Sequence, residues 1–291
     1  MRFIFQTAFF SCFMGEDMLK LTKRRAFGEE QPMENKKLIL FDIDGTLFDN
    51  KNGVIPPKSI QAITQIDDRH SIGIATGRAA FMLYSIDELK PLIEDYVLIN
   101  GQYITSKDQV VYKNPIPTAS VEKLVGDIAS MGLAYGFENS HAEAISKIND
   151  KVIYSFQKLG LKLPPIDPFF YKFHDIYQIW VFAEPKEAQS LRGRYPEFQF
   201  IRWMEVGYDI LPKDCSKGLG MKRLAEYLKI DLADVIAFGD GDNDFEMVRD
   251  AGLGIAMGNA TPKVKAAAKY ITADVSDNGI QKALKHFHLI K

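Results

Sequence analysis

Two aspartates stand two positions apart in Asp42-Ile43-Asp44-Gly45-Thr46, directly after the apolar run Leu38-Ile39-Leu40-Phe41. On a continuing strand their side chains would share a face about 6.6 to 6.8 Å apart, whereas on a loop both can converge on one cation. A flexible glycine and a hydroxyl follow them. The ordinary alternative is a turn, which Asp-x-Asp-Gly makes well. A denser cluster, Asp240-Gly241-Asp242-Asn243-Asp244, follows the apolar run Val235-Ile236-Ala237-Phe238 and crowds four polar side chains where a buried strand has just ended. Thr76-Gly77-Arg78 follows Ile72-Gly73-Ile74-Ala75 and supplies a hydroxyl and helix-start amides suited to an oxyanion, or simply a helix cap. Lys217, in Asp214-Cys215-Ser216-Lys217-Gly218, places an ammonium near a helix start, where surface solvation is the everyday explanation.

Other chemistries fall away on spacing. Asp240, Asp242 and Asp244 alternate as in a calcium loop, but Phe245 stands where that loop needs glycine and Ala251 where it needs glutamate. No glycine-rich segment ends in Gly-Lys-Ser/Thr, and Gly218-Leu219-Gly220 lacks the rest of a dinucleotide fingerprint. The histidines at 70, 141, 174, 286 and 288 form no metal-binding pair at helical spacing and read as structural or solvated. Phe169-Phe170-Tyr171 and Trp180 read as core. Cys215 lies beside Lys217, which could lower its pKa, but with Asp42 available as a nucleophile it reads as incidental.

The elements that must carry these groups are strands and helices in alternation. Short continuous apolar runs recur at 38–41, 72–75, 97–99, 235–238, 254–257 and, more weakly, 270–272. Runs of this kind fit strands buried on both faces. Between them lie apolar spacings of three and four, as in Ile60, Ile63, Ile66 and Met221, Leu224, Leu228. The expectation is an α/β protein with a doubly wound, Rossmann-like parallel sheet, whose ligands bind at the carboxyl edge of the strands. The alternation lapses over 118–208, which is rich in aromatics and proline. That stretch reads as an inserted α/β domain, with helices over Val121–Met131 and Pro185–Arg194 and an irregular connection at Leu163–Pro168. The core is then 36–117 plus 209–291. Asn50-Lys51-Asn52-Gly53 predicts a small flap beside the first strand.

Taken together in this order, the motifs resemble the haloacid dehalogenase (HAD) superfamily of phosphotransferases, from about Lys36 to Lys291. Asp42-Ile43-Asp44-Gly45-Thr46 matches its nucleophile motif, Thr76 the second, Lys217 the third, and Asp240 with Asp244 the metal motif. The position of the insert and the segments Asn100-Gly101 and Ala256-Met257-Gly258-Asn259-Ala260 resemble the Cof-type branch, subfamily IIB with a type C2 cap; Gln102 departs from the small residue usual after Asn-Gly there. The resemblance implies a phosphomonoester hydrolase acting on small phosphorylated metabolites, sugar phosphates first, through an aspartyl-phosphate. Asp42 would be the nucleophile and Asp44 the acid and base. Mg²⁺ would be held by Asp42, Asp44 through its backbone carbonyl, and Asp240, a set of hard oxygens that suits this ion. Gly45, Thr46, Thr76, Gly77, Lys217 and Asn243 would bind the phosphate or substrate, and Asp244 would orient Lys217 or a metal-bound water. A phosphomutase of the same superfamily and a non-enzymatic metabolite-binding module are the alternatives.

Composition sets the setting. Of 291 residues 46% are hydrophobic and 25% charged, which describes a globular chain rather than a disordered or fibrous one. A net charge of -2 supplies no global field for nucleic acid or an anionic membrane. The expected partner is a small phosphate ester, with no nucleic acid, no membrane, and a monomer or weak homo-oligomer as the assembly. Two distant cysteines, Cys12 and Cys215, suit a reducing cytoplasm. Residues 1–35 read as a peripheral leader, since the apolar run of Phe3-Ile4-Phe5 and Ala8-Phe9-Phe10 is broken by Gln6 and Thr7.

Overall fold

The computed structural model describes residues 35–291, so the expectations for the leader and for Cys12 lie outside the described residues. The first half of the main sheet runs β1 (Leu38–Phe41), α1 (Pro57–Ile63), β2 (Ser71–Ala75), β3 (Asp95–Leu98), β4 (Tyr103–Ser106) and β5 (Gln109–Lys113). A second sheet follows with its helices: α2 (Thr118–Ser130), β6 (Ala134–Glu138), β7 (Glu143–Ile145), α3 (Asp150–Leu159), β8 (Gln178–Phe182), α4 (Pro185–Arg194), β9 (Phe198–Arg202) and β10 (Gly207–Pro212). The chain then returns through α5 (Lys217–Leu228), β11 (Val235–Gly239), α6 (Phe245–Asp250), β12 (Leu253–Ala256), α7 (Pro262–Ala267), β13 (Tyr270–Ile271) and α8 (Gly279–His286).

The main sheet has the order β13-β12-β11-β1-β2-β3-β4-β5. Pairing is parallel from β13 through β3, and β4 and β5 add an antiparallel edge. All four residues of β1 are buried. Leu38 and Leu40 pack with Met221, Leu224 and Ala225 of α5, while Ile39 and Phe41 face Ala62, Ile63, Ala283 and Leu284 of α1 and α8. That two-sided burial is why β1 is a continuous apolar run: each large side chain contributes roughly 1.5 to 3 kcal/mol of transfer free energy. Phe41 stacks on its parallel partner Phe238 with ring centroids 4.8 Å apart. The strand order places the ends of β1, β2 and β11 side by side, and with them Asp42, Thr76 and Asp240.

The second sheet, β7-β6-β8-β10-β9, is antiparallel throughout. Its last strand ends at Pro212, a little beyond the boundary expected at 208. Residues Leu163 to Pro168 form no helix or regular strand. Phe170, Tyr171 and Trp180 are buried as expected, but Phe169 is 55% exposed and is not core. The predicted flap is a loop held by a bridge between Asp49 and Val54, with Gly53 at positive φ. Among the described residues no helix is long and apolar enough to cross a membrane.

Candidate active site

Asp42 is the first residue past β1, and its N–H still donates to the Phe238 carbonyl at 3.1 Å, so the backbone fixes where its side chain begins. The carboxylate is buried and accepts a hydrogen bond from Lys217 Nζ at 2.6 Å. Lys217 opens α5, capped by Ser216, whose hydroxyl accepts from Leu219 N and donates to the Glu246 carboxylate. Two close approaches let this helix start reach the sheet edge. A Cβ on Gly220 would lie 2.3 Å from Val97 Cγ1, and one on Gly218 would lie 2.7 Å from Glu246 Cβ. The glycines that failed as a dinucleotide fingerprint are packing residues.

Asp244 is fully buried and hydrogen-bonded at both oxygens. Its Oδ1 accepts from Lys217 Nζ at 2.7 Å, and its Oδ2 accepts from the N–H groups of Asp240 and Gly241, each at 2.9 Å. Of the two tasks expected for Asp244, its geometry matches orientation of Lys217, and it also shapes the Asp240 loop. Asp42, Asp240 and Asp244 offer ligand oxygens that all lie within 4.8 Å of one another.

Burial, with Asp244 nearby, raises Asp42 well above the usual carboxylate range, and Lys217 only partly opposes this. Burial likewise pushes Asp240 up to about 6, against a hydrogen bond from Thr46. The Lys217 ammonium also loses hydration, but Asp244 and Asp42 outweigh that loss and hold its proton more tightly than usual. Three carboxylates crowd one ammonium, an imbalance that a hard divalent cation among oxygen donors would relieve. The donor set therefore fits a hard divalent cation, Mg²⁺ among them.

The remaining expected residues are distributed unevenly around this centre. Gly45 has φ +82, and a Cβ there would lie 2.2 Å from Asp240 Oδ2, so glycine is required for both conformation and space. Thr46 is fully buried, and its hydroxyl donates to Asp240 Oδ1 at 2.8 Å. Its observed side-chain partner is thus a carboxylate of the acidic cluster. Thr76 is buried, and its hydroxyl accepts from Arg78 N at 3.1 Å, which shapes the turn after β2. A Cβ on Gly77 would crowd Asn100 Nδ2 at 3.2 Å. Asn243 is exposed and donates from Nδ2 to Asn100 Oδ1 at 3.2 Å. Cys215 is buried, and burial pushes its thiol up to about 12, leaving it without thiolate character.

Two residues emerge only in three dimensions. Arg78 grips Asp44 with both arms, Nε to Oδ2 at 2.8 Å and Nη2 to Oδ1 at 2.6 Å, and is itself steadied by Met82 O and Ser85 Oγ at 3.0 Å each. Asn259 donates to Gly45 O at 2.8 Å and to Asp240 Oδ2 at 3.2 Å while its Oδ1 accepts from Val275 N. It ties the nucleophile loop to the acidic loop. The sequence offered only their neighbourhoods, since Arg78 adjoins Thr76-Gly77 and Asn259 lies in the Ala256–Ala260 segment.

Comparison with known proteins places this geometry. A family model described as haloacid dehalogenase-like hydrolase matches residues 39–284. The chain is 33% identical over 265 residues to the putative phosphatase YkrA of Bacillus subtilis (strain 168), covering 88% of this chain and 100% of that protein. A hypothetical protein from Geobacillus kaustophilus HTA426 superimposes with a TM-score of 0.84 at 37% identity, covering 88% of this chain and 100% of the other. The HAD subclass IIB sugar phosphatase BT4131 gives a TM-score of 0.77 at 32% identity, with the same shares covered. With solved structures of the same fold, phosphatase relatives along its length and a family match over nearly all the described chain, the protein belongs to the haloacid dehalogenase-like hydrolases and is a phosphatase of that family.

Proposed function

We propose that the chain is a Mg²⁺-dependent phosphomonoester hydrolase of small phosphorylated metabolites, sugar phosphates foremost, working through an aspartyl-phosphate. The observation that carries this reading is the buried Asp42 carboxylate, fixed by Lys217 at the end of β1 beside Asp240 and Asp244.

In the first step an Asp42 oxygen attacks phosphorus, the ester P–O bond breaks, and Asp44 gives a proton to the departing alkoxide. In the second, water attacks the same phosphorus, Asp44 takes its proton, and the acyl-phosphate bond breaks to regenerate Asp42. The Arg78 fork donates to both Asp44 oxygens and holds the carboxyl in one orientation, leaving each oxygen a lone pair for the proton. Lys217 offers its charge to the transferring phosphoryl oxygens while keeping Asp42 aimed. Thr76, Gly77 and Asn243, with the backbone of Gly45 and Thr46, complete the phosphate pocket. Mg²⁺ would be held by Asp42, the Asp44 carbonyl and Asp240, and when bound it neutralises charge on the phosphoryl oxygens. Residues 118–208, together with the end of β10, act as a cap over this edge, and 36–117 with the returning segment act as the catalytic core.

The test is a phosphatase assay on aryl phosphate and a panel of sugar phosphates, run after chelation and again after Mg²⁺ is restored. Loss and recovery of inorganic phosphate release supports the reading; metal-independent release, or return of phosphate to the substrate, overturns it.

A further inference from the structure

Gln102 stands where the chain departs from the small residue usual after Asn-Gly, at the threshold of β4, and it is fully buried. Its side-chain amide works in both directions. Oε1 accepts from Asn114 Nδ2 at 2.9 Å, and Nε2 donates to the Tyr177 carbonyl at 3.4 Å. The backbone repeats the first link, since Asn114 N donates to Gln102 O at 2.9 Å. Asn114 is thus held twice by Gln102.

Both partners lie where the chain passes between the two apolar cores. Ile116, two residues past Asn114, is buried in the second sheet's core, and its N–H donates to Ile176 O at 2.7 Å. Ile176 belongs to that same core, whereas its neighbour Tyr177 joins the main sheet's cluster with Tyr103 and Ile99. Only Pro115 separates Asn114, held by Gln102, from Ile116, held by the second sheet's core. One buried amide therefore ties together two points at which the inserted segment joins the rest of the chain.

On its other side Gln102 adjoins the loop Ile99–Gly101, which borders three of the motif segments. Asn100 N donates to Thr76 O at 3.0 Å, Ile99 N donates to Arg78 O at 3.2 Å, and Asn100 Oδ1 accepts from Asn243 Nδ2. A Cβ on Gly101 would lie 2.4 Å from Ser216 O, next to Lys217. The loop takes positive φ at three successive residues, +49 at Ile99, +52 at Asn100 and +89 at Gly101. A β-branched isoleucine disfavours that region, so the conformation persists because its contacts over-determine it. Gln102 N, donating to Ile99 O at 3.1 Å, closes the turn.

We propose that Gln102 is a positioning residue that couples the angle of the cap to the shape of the phosphate pocket: a cap that swings at Pro115 must break the amide's bonds and loosen the strained loop. The inference rests on the hydrolase reading above and deepens it. Methionine would fill nearly the same space; what the amide adds is a donor and an acceptor in a place closed to water, where unmet polar groups are costly. Loss of those bonds favours an open cap. A sugar leaving group suffers from that more than an aryl one, whose departure asks little of the cap.

The test compares wild type with Gln102→Met, Asn114→Ala and the double variant on p-nitrophenyl phosphate and on whichever of glucose 6-phosphate, fructose 6-phosphate and ribose 5-phosphate wild type turns over fastest. Amide hydrogen exchange is followed in the same proteins. Gln102→Met should lower kcat/KM on the sugar ester by about tenfold while the aryl ester stays within about threefold. Exchange over 114–117 should quicken by about tenfold while β1 and β11 keep wild-type rates. Asn114→Ala should shift both readouts the same way even if Gln102→Met folds poorly, and the double variant should lose little more than Gln102→Met alone, because the two residues share a bond. Equal losses on sugar and aryl esters, exchange that quickens alike in β1 and over 114–117, or fully additive losses in the double variant would overturn the coupling while leaving the hydrolase in place. Absence of wild-type turnover on every ester, the aryl one included, would overturn the hydrolase reading and the coupling with it.

Discussion

At the scale of single residues, the site is a set of charges that burial has made dependent on one another. Replacing Asp42 by Asn keeps its shape and removes the attacking oxygen, so phosphate release should fall to background while the melting temperature stays within a few degrees of wild type; turnover comparable to wild type would sink the covalent route. Gly45→Ala combines a φ of +82 with a 2.2 Å approach to Asp240 Oδ2 and should cost about 1 to 3 kcal/mol in denaturant unfolding. A third prediction concerns Asp209, whose carboxyl burial pushes up to about 7 from the ordinary 3.8. Between those two values the folded chain keeps the proton and the unfolded chain loses it, so this group makes stability fall as pH rises through the window. Asp209→Asn should remove that contribution. Melting curves collected from pH 4 to pH 7 should show a less negative dependence of stability on pH in the variant, with Glu138 and Glu143 still titrating in both proteins. A pH dependence identical to wild type would mean Asp209 is ordinarily hydrated.

At the scale of elements, helix α5 must lie close enough to β3 for Lys217 to reach Asp42. Gly220→Ala would set a Cβ 2.3 Å from Val97 Cγ1, pushing the helix start outward. We expect a lower melting temperature together with a fall in kcat, and partial recovery of both when Val97→Ala is added; a kcat unchanged by Gly220→Ala would show that Lys217 does not depend on this contact. The same element explains what could be read in the sequence. Strands buried on both faces, such as β1 and β11, are continuous apolar runs, and Asp42 and Asp240 stand out because polar residues begin abruptly where those runs stop. Arg78 and Asn259 gave no such signal, since their meaning lies in partners 34 and 214 positions away. The burial of Glu138 was hidden for another reason: a polar residue at a strand end looks solvent-facing until the packing of the sheet is known. Thr46 was legible as a candidate beside Asp44, but its bond to Asp240 was not.

At the scale of the whole molecule, a metal held by the acidic cluster would make stability a function of its concentration. A cation that binds only the folded chain stabilises it by RT ln(1 + [L]/Kd), about 2.7 kcal/mol at a hundredfold excess over Kd. Millimolar Mg²⁺ should therefore raise the melting temperature of wild type by several degrees, and Asp240→Ala should abolish most of that rise; an equal rise in the variant would remove Asp240 from the ion's coordination. The two sheets are not simply stacked units, because Tyr177, Ile201 and Leu211 contribute to the main sheet's apolar cluster. Gln199 Nε2 on β9 also donates to Pro212 O at 3.0 Å and Cys215 O at 2.9 Å, bracketing the short stretch between β10 and Lys217. That bracket bears on inheritance. A recombination event that exchanged the second sheet for one from a distant relative, joining the chains at Pro212, would discard Gln199 and leave those carbonyls without their donor just ahead of the buried lysine. Viable crossovers at this seam should then be those in which the incoming segment brings its own amide to the same place, so lineages that trade substrate preferences would keep the stitching while the fabric changes.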